Sequence, residues 1–230
     1  MKSSRVNFKT ILNKYSNVGK GNVRLTQSTL ILSKPISATS TVYNFDVLES
    51  QTQTLLGDEI RLNLNDEFII TELGFYLQGN VFDGLVDTGA KVLLTYAPFE
   101  QDGAEAAKIN NYWNGAFQIA VNNIVYLDKY DTKKSNYVPR TQFANYVAIS
   151  GAPSTIPSTD FSENGMNATE PMLTLSGAKK NNLTLTLPTA ITNATIPFVD
   201  NTGNALSIVI DRVVCIARGL NAQNGASFQN

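Results

Sequence analysis

Residues 58–77 read DEIRLNLNDEFIITELGFYL. Ile60, Leu62 and Leu64 alternate with polar residues, and Leu73, Phe75 and Leu77 do the same further on. Successive side chains of a strand point to opposite faces, so each run predicts a strand with one apolar face. The apolar phase changes between Ile70 and Leu73, which predicts a bulge or bend there. Asp66-Glu67 and Asp58-Glu59 are expected as solvated charges at corners.

The same alternation recurs along the chain. Leu183, Leu185 and Leu187 alternate with Thr184 and Thr186, a half-buried strand with leucines inward. Further strand signals lie at 23–33, 41–48, 90–97, 115–121, 124–130, 143–149, 172–176, 195–199 and 205–218, the last long enough for one bent strand or two. GAFQIAVNNIVYLDKY predicts a hairpin closed by Asn122-Asn123, because asparagine tolerates positive φ. Residues 151–171, with Pro153, Pro157 and Pro171, predict a long loop or connector. Helix signals are confined to the N-terminus and Ala104–Ile109.

The chain has 230 residues, 43% hydrophobic and only 16% charged, with asparagine, threonine and serine in place of the missing charge. These short polar residues suit turns and strand surfaces. Roughly twelve to fourteen short strands follow, and two eight-stranded barrels would use about 170 residues. The fold class expected is all-β. Its expected parts are a basic amphipathic N-terminal arm (1–20), a first barrel (21–130), a second barrel (131–220) and a polar C-terminal tail (221–230).

The chain contains no histidine and one cysteine, Cys215, set among apolar neighbours. Serine–histidine and cysteine–histidine catalysis, histidine proton shuttles and the usual zinc sites are thereby excluded, and one thiol cannot form an internal disulfide. No apolar run approaches the ~18 residues of a spanning helix. No secretory signal pattern opens the chain, so the Asn-x-Thr triplets at Asn167, Asn182 and Asn193 are expected as chance.

Charge is uneven. Lys2, Arg5, Lys9, Lys14 and Lys20 stand in residues 1–20 with no acid, leaving 13 cations against 19 acids beyond. Phe8, Ile11, Leu12 and Tyr15 fall on one helical face. Two readings follow: an arm lying on an anionic membrane or genome, or a helix packed under the body with solvated lysines.

Four motifs invite chemistry. Asp87-Thr88-Gly89 resembles the catalytic triplet of retroviral-type aspartic proteases, but no flap pattern follows it, and a polar turn feeding strand 90–97 is the other reading. Ser176-Gly177-Ala178-Lys179 has serine–lysine spacing, yet sits where a hairpin turn is expected rather than at a helix start. Asp128 and Asp131 fall short of a calcium ligand set. No metal or cofactor is expected, and no enzymatic activity. Tyr112, Trp113 and Phe117 surround a turn, and two readings compete: ordinary core, or a ligand or subunit contact, for which they are candidates because such rings suit half-wet contacts.

Three segments together carry a resemblance: RLNLNDEFIITELGFYL, NGAFQIAVNNIVYLDKYDTKKSNYVPRTQ, and PMLTLSGAKKNNLTLTLP with IVIDRVVCIARGLNAQN. They resemble the major capsid proteins of tailless icosahedral phages of Bacteroidetes hosts that enclose an internal membrane, part of the double jelly-roll, adenovirus-hexon-type lineage. The resemblance implies two eight-stranded barrels side by side and a homotrimer of pseudo-hexagonal outline tiling an icosahedral shell with other capsid proteins. It also implies a basic arm facing internal membrane lipid or packaged nucleic acid. Localisation would be the virion, after synthesis in host cytoplasm without secretion. The chain is short for that subunit. A single jelly roll with extended loops, a minor capsid or vertex protein, and a phage fibre or adhesion module therefore remain open, as does the protease.

Overall fold

The computed structural model describes residues 11, 13–15, 23–49, 59–96, 109–137, 165–199 and 205–228. Ten strands run in chain order: β1 (Arg24–Pro35), β2 (Val42–Phe45), β3 (Glu67–Asp83), β4 (Val86–Leu94), β5 (Ala116–Val121), β6 (Ile124–Asp131), β7 (Met166–Ser176), β8 (Asn181–Thr186), β9 (Ala194–Val199) and β10 (Ala205–Gln223). The all-β expectation holds. Regular helix among the described residues is limited to the arm, where Ile11 and Asn13 to Tyr15 are helical, and to Ile109 and Asn110.

The strands form two antiparallel sheets. One has the order β1-β10-β3-β4, with β7 also pairing β3 and β9 also pairing β10; the other has the order β2-β8-β5-β6. Setting β4 and β9 aside, the pairing is nested: β1 with β10, β2 with β8, β3 with β7, β5 with β6. β4 and β9 flank the far halves of the two longest strands, β3 and β10.

This nesting has a consequence for the expected division at 130/131. β10 pairs with β1 and β3, and β8 pairs with β2 and β5, so both sheets mix strands from either side of that boundary. One apolar cluster joins Leu30, Phe45, Phe75 and Phe117 to Leu173, Leu185, Val213 and Cys215. The described residues thus share one core rather than separating into barrels 21–130 and 131–220. Periodicity reveals that a strand has an inner face but carries no information about its partner.

Local chemistry explains the elements. Along β3 the core residues are Phe68 and Ile70, then Leu73, Phe75 and Leu77. The register breaks at Thr71 against β7, and the Thr71 hydroxyl donates to the Arg218 carbonyl at 3.1 Å. The predicted bulge is there. β10 repeats the device: Ile208 and Ile210 face the core, then Val213, Cys215 and Ala217, with the shift at Asp211. Asn122 and Asn123 take φ of 50° and 66°, closing the predicted two-residue hairpin.

Several boundaries differ from expectation. β7 begins at Met166, inside the expected loop, and β10 continues to Gln223. The expected tail is partly built in: Ala226 is buried and its N–H donates to the Asn65 carbonyl at 3.0 Å. Residues 59–62 form no full strand; Ile60 bridges Ile31, and Leu62 bridges Leu48, so the segment ties the edge of one sheet to the edge of the other. The expected strand at 143–149 and residues 104–108 lie outside the described residues.

Candidate functional site

The arm meets the body on the outer face of the six-stranded sheet. Ile11 is buried with Ile69 and Ala222, and Tyr15, Leu25, Met172 and Leu220 pack around them. Beneath lies Glu67, with none of its surface exposed. Its Oε2 accepts from the Tyr15 hydroxyl and from Lys14 Nζ, the latter at 3.0 Å. Burial, reinforced by the Glu67 carboxylate, holds the Tyr15 phenol far above its ordinary pKa. A helical turn is thus strapped to β3 and β10 by an apolar contact and a charge-assisted clamp. At Ile11, Lys14 and Tyr15 the arm packs under the body. Lys2, Arg5, Phe8, Lys9, Leu12 and Lys20 lie outside the described residues.

Glu59 is the second buried acid. It accepts from the Ser33 hydroxyl at 2.6 Å and from Arg61 Nη2 at 2.9 Å, with Arg212 Nη2 at 3.7 Å. The Glu59 and Arg61 side chains are 3% and 4% exposed, so this pair sits in low dielectric, where a carboxylate persists only with such partners. It fastens the 59–62 segment to β1 and β10. Glu59 and Glu67 were expected as solvated corner charges; both are buried, Glu59 among Ser33, Arg61 and Arg212 and Glu67 beneath Lys14 and Tyr15 of the arm. An acid beside a turn looks the same in sequence whether it faces water or a buried arginine.

Tyr112, Trp113 and Phe117, candidates for a subunit contact or for core, belong to the chain's own core, all at 1% exposure or less. A single turn of 3-10 helix, Asn111–Asn114, swings the first two inward. The Tyr112 hydroxyl donates to the Val214 carbonyl at 3.1 Å, and the indole N–H of Trp113 donates to the Phe75 carbonyl at 3.3 Å. Phe117 meets Phe75 of the opposite sheet edge-on, with ring centroids 4.8 Å apart. The polar ends of Tyr112 and Trp113 find backbone carbonyls, the same requirement that an interface would meet with water.

The motifs resolve into structure. Asp87 lies exposed on β4, where its Oδ1 accepts from the Gly89 N–H at 2.8 Å. The Asp87-Thr88-Gly89 triplet is therefore strand with a kink rather than the turn expected before residue 90. Ser176 and Lys179 close the β7–β8 turn through a Lys179 N–H to Ser176 carbonyl bond of 3.1 Å. Asp128 accepts from Gln118 Nε2 at 3.2 Å and Asp131 from the Lys133 N–H at 2.9 Å. No group of three or more acidic or thiol side chains able to hold a metal occurs among the described residues. Cys215 is buried, and burial pushes its thiol well above the ordinary range, away from the reactive thiolate.

What the surface does offer is apolar. Ile124, Val125 and Tyr126 are exposed on β6, and Leu85 and Val86 at the β3–β4 turn are 99% and 69% exposed. The class defined by these features is an all-β, two-sheet protein whose buried charges fasten its own segments. Compared with family models, curated proteins and solved structures, the chain matches none.

Proposed function

We propose that this chain is a structural virion subunit that works by self-assembly, as a shell or vertex component built on a single jelly roll. The observation that carries the proposal is the nested pairing, first strand with last and inward to β5 with β6. A ribbon rolled in this way leaves few open edges, and jelly rolls are recurrent capsid modules. Lectins and cupins share the architecture, so fold alone does not choose among them. The capsid reading draws its remaining support from the three segments that resemble internal-membrane phage capsid proteins.

The pseudo-hexagonal trimer needs two sandwiches per chain. With one, a six-sided capsomer takes six copies and a five-fold vertex takes five. The arm leaves the outer face of the six-stranded sheet through the Lys14–Glu67 contact. In this reading that face turns inward, toward lipid headgroups or packaged nucleic acid, with Lys2, Arg5 and Lys9 supplying the charge. Analytical ultracentrifugation of the full chain, followed by negative-stain imaging, tests the proposal. Closed oligomers or shells are expected. A protein that stays monomeric at the highest attainable concentration, or that binds a glycan tightly as a monomer, sinks it.

A further inference from the structure

Two exposed apolar features stand at opposite ends of the molecule. The first is the β3–β4 turn. Gly84 and Leu85 form a two-residue loop with positive φ at Gly84, and Leu85 and Val86 project into solvent between Asp83 and Asp87, both exposed. The second is the start of β6, where Ile124, Val125 and Tyr126 are each about half exposed or more. The β5–β6 turn lies against the β7–β8 turn: the Asn122 N–H donates to the Lys180 carbonyl at 2.9 Å, and the Lys180 N–H donates to Asn122 Oδ1 at 3.0 Å. Lys179 and Lys180 therefore flank the second patch.

β3 fixes the separation. Its first residue, Glu67, pairs with Ser176 beside the β7–β8 turn, and its last, Asp83, opens the β3–β4 turn. Its 17 residues span on the order of 50 Å. The two features cannot meet within one chain.

Nor is the β6 edge fit for adding a strand. Its register against β5 breaks twice, and Lys129 holds φ of 50°. Bulges and charges of this kind block edge-to-edge pairing. The exposed side chains thus offer contact through their apolar surface, not through backbone bonds.

We propose that copies of this chain join head to tail, the Leu85–Val86 tip of one seating on the Ile124–Tyr126 patch of the next. The occupant is a second copy because the charges match: a tip flanked by Asp83 and Asp87 meets a patch beside the turn that carries Lys179 and Lys180, while Asp128 further along β6 accepts from Gln118 Nε2. Neither feature matches itself, since acid would face acid and lysine would face lysine. The contact is therefore heterologous, the kind that builds rings or rows rather than closed two-fold dimers. This inference rests on the self-assembly reading and names the surfaces it would use.

Sedimentation velocity on the full chain tests it with two double variants, Leu85→Ser with Val86→Ser and Val125→Ser with Tyr126→Ser. The substitutions lie on exposed positions, so buried Trp113 fluorescence should match the wild type in both. Each variant alone is expected to be monomeric where the wild type is oligomeric, a loss of at least tenfold in association. Mixed at equal concentration, they should form a dimer that grows no further, since one intact tip and one intact patch remain. Variants that keep the wild-type oligomer, or a mixture that stays monomeric, overturn the inference and leave the self-assembly reading standing. A wild type that is itself monomeric throughout removes both.

Discussion

Gly219 is where one atom decides whether β10 can lie against β3. A Cβ built there would stand 1.8 Å from the Ile69 carbonyl oxygen, beside the break in register at Arg218. The obstacle is backbone and cannot rotate away. Gly219→Ala should therefore cost about 3 kcal/mol, the upper end of overpacking effects; a urea-unfolding loss under about 0.5 kcal/mol would show that the approach is not so close. Glu59 poses the electrostatic counterpart. Glu59→Ala removes the carboxylate from Arg61, whose side chain is 4% exposed, and should cost about 3–5 kcal/mol in the same assay. Glu59→Gln, which keeps the shape, should cost less, and equal losses would argue against a charge role. Neither site was legible beforehand. A glycine in a strand and an acid beside a turn acquire these roles only when a distant segment arrives.

At the scale of elements, the arm is held by two unlike contacts, Ile11 against Ile69 and Ala222, and Tyr15 with Lys14 on Glu67. Ile11→Ser combined with Lys14→Ala and Tyr15→Phe should remove both while leaving the sheets intact. Hydrogen exchange should then show at least tenfold faster exchange at the amides of Asn13, Lys14 and Tyr15, with the core strands unchanged. Unaltered protection at those amides would mean that other contacts hold the arm. The helical face of Phe8, Ile11, Leu12 and Tyr15 was readable from spacing, but spacing is the same for a helix on lipid and a helix on protein. β2, β5 and β8 were readable because alternation survives wherever a strand has one wet face, and β6 was readable from the Asn122-Asn123 turn before it. β7 was readable only over 172–176, because Pro171 within it reads as a loop signal; among the described residues Pro171 lies exposed on a strand that pairs only with β3, where a missing N–H costs little.

For the whole molecule, one shared core implies one cooperative unit. Trp113 fluorescence and far-ultraviolet circular dichroism should report the same urea midpoint, since the indole is packed where the two sheets meet. Two separated transitions would favour independent barrels. Alkali should weaken that unit. Burial raises the pKa of Cys215, Tyr15, Tyr112 and Tyr130, and pushes Tyr76 up to about 12. The folded protein thus keeps protons that the unfolded chain releases. Their contribution is fully present below the unfolded thiol pKa, and stability falls as pH rises past about 8.5, then more steeply past about 10 as unfolded phenols ionise. A urea midpoint that stays level from pH 7 to pH 10.5 would refute this.

By itself, the sequence determined that this protein is built of strands, where many of them run, and that β3 must shift phase near Thr71, because apolar alternation is a local property of the backbone. The absence of histidine likewise settled which catalytic schemes were closed. Only the tertiary structure decided that β1 pairs with β10 and β2 with β8, that Trp113 faces inward, and that Glu59 and Glu67 are buried. Those outcomes depend on which distant segments share a face, and burial is a property of the assembled core rather than of any stretch of chain.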